Sequence, residues 1–175
     1  MSILLPESRT KSQDPELDRE LVREGLPSQK GSYLLILKSS SNAVITVGRK
    51  GSLTLKPGYY LYIGSALGPG GLSARVARHA DRIKKSHWHI DYLRPHLRLF
   101  AVCFIVCSER LEDAWSQQVG AWSGAEVPMQ GFGASDRQLG THLYYFQEWP
   151  GASSPVSLGG KEIHCLESGG MEIRA

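Results

Sequence analysis

YYLYIGSALGPGGLSARVARHADRIKKSHWHID, residues 59–91, decides how the rest of the chain is read. It begins as an aromatic, strand-like run and breaks at Gly64. A Gly-Pro-Gly-Gly loop, Gly68–Gly71, cannot continue a strand. From Leu72 to Lys84 the pattern turns helical: Leu72, Val76 and Ile83 recur at core spacing, while Arg75, Arg78, Arg82 and Lys85 take the other sides. The segment closes in a His/Asp cluster. Strand, glycine break, arginine helix and metal-capable side chains in succession suggest a site that handles phosphate.

Upstream, Gly31 opens the domain. Ser32–Lys38 (SYLLILK) reads as a buried strand, Ala43–Val47 as its return, Ser52–Lys56 as a third strand with period-two alternation, and Tyr59–Ser65 as a fourth. Short strands joined by short turns predict an antiparallel meander. Downstream, Leu97–Cys107 (LRLFAVCFIVC) is the most apolar run and reads as a central strand. A helix follows Ser108, then a glycine-rich loop at Gly124–Asp136 and a closing strand at His142–Gln147. The order is β-β-β-β-α-(α)-β-α-β. The fold class is α+β, a small and mainly antiparallel sheet flanked by helices. Residues 1–30 form an N-terminal extension with one short, peripheral helix, residues 31–149 the domain, and residues 150–175 a flexible tail rich in Gly, Ser and Pro.

At 175 residues and a formal net charge of +3 the totals are ordinary, but the charge is not evenly spread. Between Gly71 and Arg98 seven Lys/Arg face two Asp, so this segment alone carries +5. A local basic stripe calls for a polyanionic partner at one place, or is simply a solvated helix face. Three cysteines make neither a disulfide framework nor a CxxC metal site. Cys103 and Cys107 read as small core residues, and the odd count fits a reducing compartment. With no signal-peptide pattern and no apolar run long enough for a membrane span, the expectation is a cytoplasmic protein with no membrane partner.

Four groups of residues carry candidate chemistry. Tyr62, Gly64 and Arg75 join an aromatic strand, a position where backbone can approach a ligand, and a guanidinium one turn into a helix. His79, His87, His89 and Asp91 mix imidazole with carboxylate, which suits zinc, phosphate orientation or a structural polar network. Glu109, Glu112 and Asp113 lie on the helix after the central strand, as magnesium ligands or as surface charges. Ser135, Asp136 and His142 offer a triad composition without the strand-turn-helix elbow a serine hydrolase uses.

Tyr62-Ile63-Gly64 followed by Leu72, Arg75, Arg78 and His79 resembles the second half of the GIY-YIG nuclease signature. Gly31-Ser32-Tyr33 stands where that superfamily has Gly-Ile-Tyr. GYYLYIGSALGPGGLSARVARH, HWHIDYL and GFGASD…HLYYF resemble an uncharacterised branch found as stand-alone proteins and beside base-excision glycosylases. The resemblance spans roughly Gly31 to Trp149. It implies a metal-dependent endonuclease acting on DNA ahead of RNA, structured or damaged DNA among the substrates. It places Tyr33 and Tyr62 as the tyrosines that act as, or orient, the base for an attacking water. Arg75 steadies the phosphoryl oxygens, His79 is a site histidine, and Glu112, with Glu109 as the rival, holds one Mg2+ or Mn2+. The nucleic acid is expected to meet Gly64, Arg78, Arg82, Lys84, Lys85, His87 and His89. Specificity would come from the domain itself, a homodimer or a DNA-repair partner. The alternative is a nucleic-acid-binding module that keeps the fold without turnover. A departure from the signature is the distance between Tyr33 and Tyr62, which an extra strand pair lengthens.

Overall fold

The structure, a computed structural model, describes residues 18–19, 22–23, 25–82, 84–134, 140–150 and 157–167. It is an α+β fold built on one five-stranded antiparallel sheet. Strand β1 (Gly31–Ser39) is its middle, flanked by β4 (Gly58–Ala66) and β5 (Arg98–Val106); β6 (Leu143–Phe146) and β9 (His164–Glu167) form the edges.

Both faces of the sheet are covered, which is why β1 shows a near-continuous apolar run rather than an in-out alternation. On one face Tyr33, Leu35 and Leu37 pack with Tyr60 and Tyr62 beneath helices α1 (Gly71–Ala80) and α2 (His89–Leu93). The hairpin of β2 (Ala43–Thr46) and β3 (Ser52–Leu55) adds Ile45, Leu53 and Leu55 to this core. On the other face Leu34, Ile36, Leu61 and Ile63 meet Trp115 and Val119 of α3 (Glu112–Gly120). Leu158, from the small ribbon of β7 (Ser157–Leu158) and β8 (Lys161–Glu162), joins that second core.

Four expectations are corrected. The first four strands are not a meander: β1 pairs directly with β4, and β2–β3 stands apart as the inserted pair. Two long apolar strands bury more area against each other than against the short hairpin between them, so chain order loses to packing. The N-terminal helix is not peripheral. Its described residues include Val22 and Leu26 in the core and Asp18 in a buried ion pair with Arg94 at 3.1 Å.

The flexible tail is the third. Residues 157–167 form three strands, and β9 lies beside β5 at the sheet edge. The pairing places Cys165 opposite Cys103, and the two form a disulfide. This corrects the fourth expectation: Cys103 is a core residue but disulfide-bonded, not reduced, which removes the compartment argument, while Cys107 is a free thiol that is only partly buried. Sixty-two residues separate the bonded pair, and the low-hydropathy stretch around Cys165 carries no strand signal of its own. Among the described residues no helix is long and apolar enough to cross a membrane.

Candidate functional site

Edge strand β6 stops at Leu143, opposite Tyr62, while β4 runs on through Gly64 and Ser65. A notch opens there. Helix α1 crosses it with Arg75 and His79, the start of α3 brings Glu112 and Asp113, and Gly133, Ala134 and His142 close the side. The result is a cavity of about 150 Å3 whose walls include Tyr33, Tyr62, Arg75, His79 and Glu112. Five residues drawn from β1, β4, α1 and α3 thus converge on one concave surface.

Tyr33 and Tyr62 are buried in the cavity floor. The Tyr33 hydroxyl lies 2.8 Å from His79 Nε2. The Tyr62 ring stands edge-on to His79, with centroids 5.8 Å apart. Burial pushes both phenols up, Tyr33 well above its ordinary value; the Arg75 guanidinium pulls each back in part. Both are neutral at rest. Burial, then the nearby Lys84 ammonium, lowers His79 to about 3, so its imidazole is also neutral. Its Nδ1 has no hydrogen-bond partner and faces Asp91 Oδ1 at 4.0 Å. The tautomer with the proton on Nδ1 points it at this carboxylate and leaves Nε2 to accept from Tyr33.

Glu112, the first residue of α3, sends Oε2 into the cavity wall, buried and with no hydrogen-bond partner. Such an oxygen is costly unless a donor or cation meets it. One carboxylate of this kind fits a magnesium-like ion that keeps most of its waters. Among the described residues no three His, Cys, Asp or Glu cluster into a cage. Glu109, the rival, is turned outward and pairs with Lys161 at 2.6 Å.

Asp91 is a structural hub. Its Oδ2 accepts from the backbone of His87 and Trp88, at 2.9 and 3.0 Å, and from Arg78 at 3.2 Å, while Lys84 reaches Oδ1 at 3.0 Å. Burial would raise this carboxyl, but these donors together hold it below its usual range. The hub clamps residues 87–91 onto α1 and seats Trp88 under two guanidiniums, Arg75 at 4.4 Å and Arg78 at 4.6 Å from the ring centroid. Arg75 has no carboxylate partner among the described residues.

Several expected contacts fall elsewhere. The Lys84 side chain is 8 % exposed and its ammonium also donates to the Arg78 carbonyl, so it is no surface phosphate contact. Arg82 donates to the Pro95 carbonyl at 2.8 Å. His89 Nδ1 accepts from Gly133 at 3.1 Å and so positions the cavity loop. His89 Nδ1 and Asp91 Oδ2 thereby give to hydrogen bonds the lone pairs that a zinc ion would need from them. Lys85 and His87 are exposed. Gly64 lines the cavity, but the space at its Cα is filled by Tyr33: a Cβ there would sit 2.4 Å from the phenol oxygen. The helix that follows the glycine loop is likewise occupied. The amides of Leu72 and Ser73 donate to the carbonyls of Gln29 and Pro27, at 2.9 and 3.0 Å. Ser135 and Asp136 lie outside the described residues. His142 faces Asp113 at 3.5 Å inside the cavity.

Sequence reasoning missed Trp88 and Arg110 as cavity residues. Trp88 had a signal, an aromatic interleaved with histidines beside a basic helix; Arg110 had none.

Residues 32–161 match the model of a family described as Domain of unknown function DUF123, and the chain belongs to that family. Neither a curated protein nor a solved structure matches it.

Proposed function

We propose that this chain is a metal-dependent phosphodiesterase of the GIY-YIG type, an endonuclease acting on DNA. The observation that carries the reading is the shared cavity of Tyr33, Tyr62, Arg75, His79 and Glu112, with Glu112 Oε2 unpaired in its wall. Phosphodiester hydrolysis needs charge stabilisation at the phosphoryl centre and an activated water.

Arg75 holds a non-bridging phosphoryl oxygen through its guanidinium, which Trp88 keeps in place from below. Tyr33 Oη, held in place by its hydrogen bond to the neutral imidazole of His79, orients the attacking water. Tyr62 edges the same space and orients the water. Glu112 would hold the divalent cation, Mg2+ or Mn2+; when bound it supplies charge to the phosphoryl centre and lowers the cost of ionising a neighbouring hydroxyl.

The upward push on both phenols favours a second reading, a nucleic-acid-binding module without turnover. Plasmid nicking in Mg2+ or Mn2+ separates the two. The nuclease reading expects nicking that EDTA abolishes and that Arg75→Ala and Glu112→Gln each reduce by about a hundredfold or more, with DNA binding retained in Glu112→Gln. Salt-sensitive binding with no cleavage of any DNA by the wild type would leave the second reading standing.

A further inference from the structure

A second depression, of about 160 Å3, adjoins the cavity. Its walls are Ala66, Pro69 and Ala74, the glycine backbone at 68 and 71, and the Arg75–Trp88–Arg78 stack. The two depressions share Arg75 and Trp88.

The chemistry of the two differs. The first is polar, with carboxylates, phenols and imidazoles. The second has apolar side chains and π surface, and no carboxylate lines it. Nor does the backbone of the glycine loop offer it phosphate donors. The amide of Gly71 is turned to the Gly68 carbonyl at 3.2 Å, and those of Leu72 and Ser73 are taken by residues 27–29. Arg78 is bonded to Asp91. A flat, electron-rich group with little charge of its own fits these walls, and it would stack on the guanidiniums.

We propose that this groove receives a nucleobase, that of the nucleotide whose phosphate Arg75 holds. The inference rests on the phosphodiesterase reading and adds a substrate class to it. A base that enters the groove has left its duplex stack, so the preferred substrate carries an unpaired or displaced nucleotide next to the scissile bond. Because Arg75 forms a wall of both depressions, one nucleotide fills both at once, its phosphate on the polar side and its base on the apolar side.

The test uses the full chain as Glu112→Gln, so that the probe stays intact. The probes are two single-stranded trinucleotides, one with a central 2-aminopurine and one with a central abasic residue, both flanked by thymidines. The proposal expects 2-aminopurine fluorescence to be quenched on binding and the base-bearing probe to bind about tenfold more tightly or better, the usual worth of one stacked base. Ala74→Leu, made at an exposed position of α1, should abolish the quenching and bring the two affinities together. Equal affinities in the unsubstituted groove, or quenching untouched by Ala74→Leu, overturn it. If the wild type nicks plasmid yet both probes bind alike, the groove proposal alone falls. If the wild type neither cleaves nor binds DNA, the phosphodiesterase reading falls and takes the groove with it.

Discussion

Tyr33 Oη lies 2.8 Å from His79 Nε2, although 46 residues separate them, and both side chains are buried. The contact joins the middle strand of the sheet to the helix that crosses it. It makes the state of one residue a property of the other.

Acid should destabilise the fold through His79. Folded His79 takes a proton only near pH 3, while the ordinary imidazole titrates near 6.5. The folded pKa is depressed, so this contribution is complete above pH 6.5 and is lost as pH falls toward 3. The loss approaches about 1.4 kcal/mol per pH unit inside that window. Urea unfolding at pH 7.5 and pH 5 should show it, and His79→Gln should flatten the difference. A wild-type stability equal at both values would place a protonated histidine in the core.

Tyr33→Phe removes the hydroxyl and leaves His79 Nε2 buried without a partner. The expected cost is about 1–3 kcal/mol of stability. On the proposed mechanism, nicking falls as well. Tyr62→Phe, whose hydroxyl is not bonded to His79, should leave the acid sensitivity unchanged.

Gly64→Ala should destabilise the fold by about 1–3 kcal/mol, because the new methyl meets the Tyr33 phenol held directly across the strand pair. Gly68→Ala, with open space at its Cα, should be neutral or slightly stabilising. Thermal melts of the two variants read the contrast, and equal melting temperatures would argue against the Tyr33–Gly64 packing.

Lys84 and Lys85 are adjacent and should behave oppositely. Lys84→Met strips Asp91 of a buried partner and should lower the melting temperature without altering the salt dependence of DNA binding. Lys85→Ala, at an exposed position, should leave stability alone. If it meets a phosphate, the slope of log K against log salt becomes shallower by about 0.9.

The buried pair of Asp18 and Arg94 ties the N-terminal segment to the domain. Arg94 also donates to the carbonyls of His79 and Leu97. Asp18→Ala should cost about 3–5 kcal/mol by leaving that guanidinium uncompensated. Chemical denaturation measures it, and a loss under 1 kcal/mol would mean that water reaches Arg94.

Much of the site was legible because its motif is local. Tyr62, Arg75 and His79 lie within eighteen residues, on a strand and a helix whose periods are plain, and they do face one cavity. Glu112 needed the resemblance, since nothing in a surface-like helix start distinguishes it from Glu109. Lys84 illustrates the opposite failure. Its place in the basic stripe assigned it to a nucleic-acid contact, but it serves Asp91, and only the fold brings the clamp from residue 91 under the helix. The β1–β4 pairing and the C-terminal strand were beyond sequence reading for a related reason. Both depend on area buried between distant segments, and neither leaves a periodic mark where it occurs.

The bond between Cys103 and Cys165 has a bearing on where the folding unit ends. The family match stops at residue 161, short of β9. A chain cut at that limit would bare Ala101–Phe104 of β5 as a new edge, with an unpaired row of amides and carbonyls and a lone thiol in their midst. An apolar strand exposed in this way is a template for pairing with a second molecule. The closing strand is therefore a guard on the sheet's open side, and the cystine is the stitch that keeps it there.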